Sequence, residues 1–499
     1  MNSPRVLCIN PWIYDFAAYD YWSKPLGLLY VAAFLRERGV QVEILDCLDK
    51  WHPTLLQRQG RTTPKQRSSG IGHFHREPIP TPPCVNFVPR QFSRYGLPED
   101  IFLKDLQSRP RPDAILVTSI MTYWYMGPQR VVQLCREAFP GAPIVLGGIY
   151  ASLMPEHARQ TVQPDYLITG PGEHAIAELL ADICKQPKIS QNLPYRIDQL
   201  PPPAFDLLRK NDYLIVMTSR GCPFRCTFCA TYKVDSAFSQ RSPACVVEEI
   251  FTQTQRFRVR DVAFYDDALL MQPNQRIKPI LREIIASRQS FRFHTPNGLH
   301  ARYIDEELAE LMYRSHFKTI RLSLESVAKE RLRDIHNKIT PGEMTRAVQH
   351  LVKAGYQPNE LETYIIMGLP HQPLEEVVDT ILYANSLGIQ IRLSSFSPIP
   401  GTVDYQRAVE SGAFPANADP LLTNNTVMPL SRSVTAYQQL QTISRFTHLL
   451  NEEARRGNTC AHPASLRQQL LTALKDVQKA KTQYTTITIN VQHGAHYEL

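Results

Sequence analysis

No stretch of the 499 residues is apolar for long enough to cross a bilayer, and Met1-Asn2-Ser3-Pro4 does not open a cleavable secretory leader, so neither a membrane span nor secretion is expected. Charge of one sign is also in short supply. Lys and Arg number 55 against 47 Asp and Glu, for a net +8. The densest basic cluster, from Gln57 to Arg67, lies in an irregular stretch rather than on a helical face, so a nucleic-acid partner is not expected. Internal repeats are lacking. Cysteine is sparse, with ten in the chain, and most stand alone at strand-like or helical positions, the usage of reduced thiols in a cytoplasm.

Three cysteines break that pattern. Cys222, Cys226 and Cys229 share the short loop Ser219-Arg220-Gly221-Cys222-Pro223-Phe224-Arg225-Cys226-Thr227-Phe228-Cys229, spaced C-x3-C-x2-C. Thiolates are soft ligands that favour zinc or iron–sulfur clusters. A structural zinc site would need a fourth ligand, from Cys245 or a histidine. A four-iron cluster ordinarily takes four cysteines, so three leave one iron open to a small molecule. The loop resembles the signature of the radical S-adenosylmethionine superfamily, including Thr218-Ser219-Arg220-Gly221 ahead of it and Phe228 before the last cysteine. That resemblance implies a [4Fe–4S] cluster on Cys222, Cys226 and Cys229, S-adenosylmethionine on the open iron, a low-potential electron donor and a 5'-deoxyadenosyl radical.

Upstream, Arg5 to Pro11, Val40 to Leu45, Asp113 to Ser119, Ile144 to Gly147 and Tyr166 to Thr169 read as short strands, with helical spacing at Pro25 to Arg38, Gln129 to Phe139 and His174 to Lys185. This alternation predicts a doubly wound, Rossmann-like parallel sheet over residues 1–190. Ligands of such sheets bind beyond the carboxyl ends of the strands, where Ser119, Gly147-Gly148 and Gly170-Pro171-Gly172-Glu173 fall. These tips resemble the cobalamin-binding domain that precedes many radical S-adenosylmethionine cores, which implies cobalamin contacts for Ser119, Gly147, Gly148, Gly170 and Glu173. The D-x-H-x-x-G motif with which some such domains ligate cobalt does not occur. Turn residues of a vestigial domain are the alternative reading of the glycines. Residues 51–106 form a Pro- and Gly-marked insertion, longer than the roughly 12–15 residues of an ordinary loop. It reads either as a cap over a ligand or as a solvated loop, with His73 and His75 read as surface residues.

Pro194 and Pro201-Pro202-Pro203 mark residues 191–204 as a stiff linker. Beyond it, strands are expected at Tyr213 to Thr218, Asp261 to Tyr265, Phe291 to His294, Thr319 to Leu324, Glu362 to Met367 and Ile389 to Phe396, a partial (β/α)6 TIM-like barrel over residues 205–410. Active groups of such barrels gather at the carboxyl ends of the strands. Period two puts Arg321, Ser323 and Glu325 on one face, an expensive interior without a polar ligand. By resemblance, Ser323 and Glu325 contact the ribose of S-adenosylmethionine, Lys338 its carboxylate and Glu249 its amino group. Phe228, Ile366 and Gly368 lie by its adenine on the same reading; a solvated carboxylate is the alternative for Glu249.

Residues 411–499 form a polar, mainly helical region that could cap the substrate side of the barrel. The resemblance implies an enzyme acting on a small molecule, with methyl transfer to an unactivated carbon as its leading reaction and radical cyclisation as another. Two further readings stay open: a methylthiotransferase-like enzyme with a second cluster on Cys8, Cys47 and Cys84, and a non-catalytic cobalamin or metal-binding protein. No catalytic acid or base is singled out.

Overall fold

The computed structural model describes residues 3–194, 196–336, 338–428, 430, 434–460, 462–479, 488–491 and 495–498. Five parallel strands, β1 (Arg5–Asn10), β2 (Gln41–Asp46), β3 (Ala114–Val117), β4 (Ile144–Leu146) and β5 (Tyr166–Leu167), form the first sheet in the order β2-β1-β3-β4-β5. Its inner strands β1, β3 and β4 are nearly continuous apolar runs because both faces are covered, while the edge strands β2 and β5 are partly exposed. Val6, Cys8 and Leu116 face α1 (Leu26–Arg36) on one side, whereas Leu7, Ile9 and Val117 pack with Trp12 and Phe102 on the other. The order reverses between β1 and β3, and at such a switch point the strand ends diverge and leave a crevice.

The insertion is folded rather than irregular. Its last part, Glu99–Gln107, is the crossover helix between β2 and β3, with Ile101, Phe102 and Leu106 turned inward. Arg76–Pro78 and Ser93–Tyr95 pair antiparallel and join Ile13–Asp15 in a three-stranded sheet. These strands have three residues each, too few for an alternating pattern to show. His75 sits beside Gln59 and Glu77, and His73 is exposed. The insertion also borders a polar cavity of about 220 Å3 at the end of β2, lined by Asp46, Lys50, Trp51 and His52 among others.

In that cavity burial pushes the Asp46 carboxyl up to about 6, with Asp49 adding repulsion. A carboxyl raised in this way binds more protons folded than unfolded between pH 3.8 and about 6, so stability falls as pH rises through that window and the cost is complete above it. Asp46→Asn keeps an acceptor for Asn10 Nδ2 (2.7 Å) and the Leu48 N–H (2.9 Å). It is expected to stabilise the protein at pH 7 by up to about 3 kcal/mol, with no gain near pH 4, as read by urea unfolding at both pH values.

The second sheet contains β6 (Leu214–Val216), β7 (Asp261–Phe264), β8 (Arg292–His294), β9 (Phe317–Glu325), β10 (Leu361–Met367) and β11 (Gln390–Ser395). All are parallel and neighbours follow chain order, with helices between successive strands. This is the arrangement of an open (β/α)6 barrel: among the described residues nothing pairs β6 with β11. Ser242 caps the N-terminus of helix α2 (Pro243–Phe257), and the Thr340–Glu343 capping box starts Pro341–Ala354.

The linker is short and anchored. The Ala204 N–H donates to the Leu29 carbonyl (3.1 Å), and Phe205 is buried. The first domain also reaches into the second through Tyr19 to Trp22: Trp22 stacks on His294 with ring centroids 4.4 Å apart, and Tyr265 donates to its carbonyl (2.6 Å).

The helices of the carboxyl-terminal region cover the open edge of this sheet, while Leu430, ahead of them, packs against Ile366, Leu369 and Phe396 at its mouth. Asn451, on the helix Val434–Arg455, accepts from the Ile391 N–H (2.7 Å) and donates to the Ile391 carbonyl (2.8 Å), which satisfies backbone groups that an edge strand leaves unpaired. Phe414 to Met428 runs back to the first domain. There Asn424 Nδ2 and Trp124 Nε1 both donate to the buried Asp15 (2.8 and 2.6 Å), and Thr122 meets Thr423. The aromatic run Tyr123-Trp124-Tyr125 is thus packing for this returning segment. Thr488–Val491 and Ala495–Glu498 form an antiparallel pair; the rest of 480–499 lies outside the described residues. Among the described residues no helix is long and apolar enough to cross a membrane.

Candidate functional site

The cysteine loop leaves the carboxyl end of β6. Its start is fixed by Asp266, at the end of β7, which accepts from the Thr218 hydroxyl (2.7 Å), the Ser219 hydroxyl (2.6 Å) and the Thr218 N–H (3.0 Å). Gly221 adopts φ +75°, and a side chain there would meet the Ala237 carbonyl at 2.8 Å. Cys226 is buried against Leu332 and Ile335, while Cys222 and Cys229 are partly open. Burial pushes the Cys226 thiol up to about 12 and raises that of Cys222; the ammonium of Lys338 opposes both. Cys229 acts on both Cys222 and Cys226, and Cys222 on Cys226, so the three sulfurs share one electrostatic neighbourhood. Among the described residues no three His, Cys, Asp or Glu side chains converge as ligands of a single ion would.

The strand ends facing the loop carry the other predicted groups. β9 ends at Glu325, a non-glycine residue at φ +65° where the register with β10 shifts; such strain is characteristic of functional positions. Glu325 lies 3.9 Å from Lys338 Nζ, and burial raises its carboxyl pKa despite that cation. Ser323 is buried one layer below, and a side chain on Gly298 would come within 2.1 Å of its hydroxyl. Arg321 is committed elsewhere, to Glu362 (2.7 Å) and the Tyr364 hydroxyl (2.8 Å). Phe228 packs both with the cysteine loop and with Ile366, Leu369 and Phe396 at the ends of β10 and β11. Gly368, at φ +83°, has nothing within 4 Å of where a side chain would start, so open space adjoins the Phe228–Ile366 surface.

Glu249 is not in this group. It lies on α2, 2% exposed, paired with Arg241 at 2.9 Å, and is therefore not a solvated carboxylate. Asp267 is the acid at the mouth. It is exposed, bonds to Thr231, and is carried up to about 6 by the desolvation of its carboxyl and by Asp266. Its signal in the sequence was its place directly after β7. His294 is structural, with both ring nitrogens engaged by Asp261 (2.9 Å) and Thr319 (3.0 Å).

Across the domain interface, Ser119, Gly147, Gly148, Gly170 and Glu173 line one cleft of about 340 Å3 together with Tyr30, Met217, Arg220 and Tyr265. The turns are held tightly. Ser119 donates to the Gly147 carbonyl (2.7 Å), and the Gly170 N–H donates to Ser152 Oγ (2.8 Å). Gly148 sits at φ +98°, and a side chain there would stand 2.1 Å from the Ser119 carbonyl oxygen. The cleft wall is otherwise largely apolar, formed by Leu28, Val31, Leu116, Val145 and Ile176 between the sheet and its helices. The Glu173 carboxylate faces Arg220 in a buried, bidentate ion pair. Glu173 is thus the partner of the residue two positions before Cys222.

Two family models match the chain. Residues 216–384 match the radical SAM superfamily and residues 93–180 the B12 binding domain. Residues 216–384 are thus a radical S-adenosylmethionine domain and residues 93–180 a cobalamin-binding domain. The chain is an enzyme, and its cofactors are a [4Fe–4S] cluster, S-adenosylmethionine and cobalamin. It is 26% identical over 345 residues to an uncharacterized methyltransferase of Pyrococcus horikoshii, an alignment that covers 63% of this chain and 74% of that protein. It is 23% identical over 484 residues to cytidylyl-2-hydroxyethylphosphonate methyltransferase of Streptomyces wedmorensis, covering 82% of each. The solved structure of the radical S-adenosylmethionine methyltransferase TsrM from Kitasatospora setae, with cobalamin and a [4Fe–4S] cluster bound, has a TM-score of 0.63 at 16% identity, covering 96% of this chain and 100% of that one.

The donor sets of this radical S-adenosylmethionine enzyme fit those cofactors. Three thiols on one loop suit iron, and an apolar cleft with glycine-edged turns suits a bulky corrinoid. A second cluster on Cys8, Cys47 and Cys84 does not fit: Cys8 and Cys47 are fully buried on opposite faces of the first sheet, and Cys84 lies apart beside Asp419. Gly148→Ala is expected to displace the Ser119 turn and cut cobalamin retained per chain about tenfold or more, because a clash with backbone cannot be relieved by a rotamer change. Absorbance of the gel-filtered protein measures this, with iron content unchanged.

Proposed function

We propose that the enzyme transfers a methyl group to an unactivated carbon of a small molecule held between its two domains. The observation that carries this reading is the juxtaposition of the two ligand-binding strand ends. The cobalamin-side turn at Glu173 is ion-paired to Arg220, at the root of the cysteine loop, so both cofactor sites open on one interdomain space. The names of the Pyrococcus and Streptomyces relatives agree with it.

When bound, the cluster and S-adenosylmethionine supply a 5'-deoxyadenosyl radical under reduction by a low-potential donor, and cobalamin supplies a transferable methyl group. Cys222, Cys226 and Cys229 hold the cluster. Ser323 and Glu325 accept and donate at the ribose hydroxyls, Lys338 pairs with the carboxylate, and Asp267, rather than Glu249, takes the amino group. Phe228, Ile366 and the open face of Gly368 enclose the adenine. Ser119, Gly147, Gly148 and Gly170 let backbone approach the corrinoid, and Glu173 fixes that wall through Arg220.

The test is anaerobic reconstitution with iron, sulfide and cobalamin, followed by incubation with candidate small molecules and methyl-labelled S-adenosylmethionine. Label in a new carbon–methyl product, with 5'-deoxyadenosine formed alongside, supports the proposal. A product of unchanged carbon count would replace it with cyclisation.

A further inference from the structure

The Glu173–Arg220 pair has a second cleft on its other side. This one measures about 640 Å3 and lies between the linker segment, the strand Ser239–Gln240 and Arg276. Pro171, Glu173, Arg220 and Asp235 line both clefts, so the ion pair forms part of the wall between them. Two further arginines, Arg196 and Arg276, face the second cleft. Among the described residues neither has a carboxylate within ion-pairing distance. Arg276 is only partly exposed, burial lowers its pKa, and its one side-chain hydrogen bond among the described residues is a long one, 3.4 Å, to the Thr218 carbonyl.

The acids of this cleft are otherwise occupied. Glu173 belongs to Arg220. Both oxygens of Asp198 accept from the Ser242 N–H, at 2.8 and 3.0 Å. Asp235 lies beside Arg220 at the wall, where burial favours its neutral form. Asp198 and Asp266 act on Arg276 through space only; a partly buried guanidinium that no carboxylate contacts directly is costly, and arginine's planar fork matches phosphate and carboxylate oxygens. We propose that this cleft receives the anionic end of the substrate, a phosphate, phosphonate or carboxylate, on Arg276 and Arg196, while the remainder of the molecule extends past Glu173–Arg220 toward the cofactors. The inference rests on the small-molecule reading above and narrows its substrate to an anion. The phosphodiester of cobalamin shares this chemistry, and the experiment separates the two sources.

The experiment is calorimetric titration of the cluster- and cobalamin-loaded enzyme with methylphosphonate, in wild type, Arg276→Met, Arg276→Lys and, as control, the exposed Arg61→Met. Binding at a single site is expected, weakened about tenfold or more by Arg276→Met and less by Arg276→Lys, with Arg61→Met unchanged. Absence of saturable binding at millimolar methylphosphonate, or equal affinity in Arg276→Met and wild type, would overturn the proposal. Binding that occurs without cobalamin and disappears once cobalamin is loaded would assign the arginines to the cofactor and overturn it equally. These titrations require no turnover, so failure of methyl transfer and failure of the anion site are read separately.

Discussion

Cys226→Ala is expected to lower iron in the reconstituted enzyme from about four per chain to background and to abolish reductive cleavage of S-adenosylmethionine. Cys226 is the most enclosed of the three ligand cysteines, its sulfur 4.0 Å from the Ile335 carbonyl and packed with Leu332. Two thiols cannot retain a cluster designed for three against solvent competition. Loss of one small buried side chain costs only about 1 kcal/mol of stability, so the fold persists. Cobalamin content should also persist, because Ser119, Gly148 and Gly170 stand on the other sheet. Iron and corrinoid analysis of the same sample checks both halves, and a Cys226→Ala protein with a full iron complement would remove the loop from the cluster site.

The second large effect concerns Arg220 and Glu173. Their side chains are 15% and 6% exposed, so Arg220→Met leaves an unpaired carboxylate between the domains and Glu173→Leu leaves the guanidinium with only Asp235 beside it, a carboxyl that burial favours in its neutral form. Each single change is expected to destabilise the interface by about 3–5 kcal/mol, and the double variant Arg220→Met/Glu173→Leu should recover most of that, since apolar replacement of a whole buried pair is close to neutral. Denaturant unfolding of all four proteins measures the coupling. If the two single changes cost less than about 1 kcal/mol, as surface pairs do, the pair does not hold the domains together. Iron retention in Arg220→Met adds a second readout, because Arg220 precedes the first cluster cysteine by two residues.

Much of this architecture was legible in residue order. Parallel strands buried on both faces read as short apolar runs, and Gly148, Gly170, Gly221 and Gly368 all adopt the left-handed backbone that glycine tolerates. The insertion was less legible because its paired strands, Arg76–Pro78 and Ser93–Tyr95, are too short for a period. The role of the carboxyl-terminal helices was hidden for another reason. Asn451 acts on Ile391, sixty residues away in the chain, and no local pattern marks a side chain that seals a distant strand edge. Glu249 illustrates the same limit: its helix is amphipathic, but Arg241 decides that the carboxylate is buried.

The sequence by itself determined the cysteine loop, the two successions of strand and helix, and the glycines at their tips, because each depends on chemistry or backbone conformation confined to a few neighbouring residues. Tertiary structure decided which acids face the cleft, that Glu173 is bound to Arg220, that Arg276 makes no direct ion pair among the described residues, and that Cys8 and Cys47 lie on opposite faces of one sheet. Those outcomes depend on distances between residues far apart in the chain, and burial in a shared low-dielectric interior turns such distances into pairing, desolvation or exclusion.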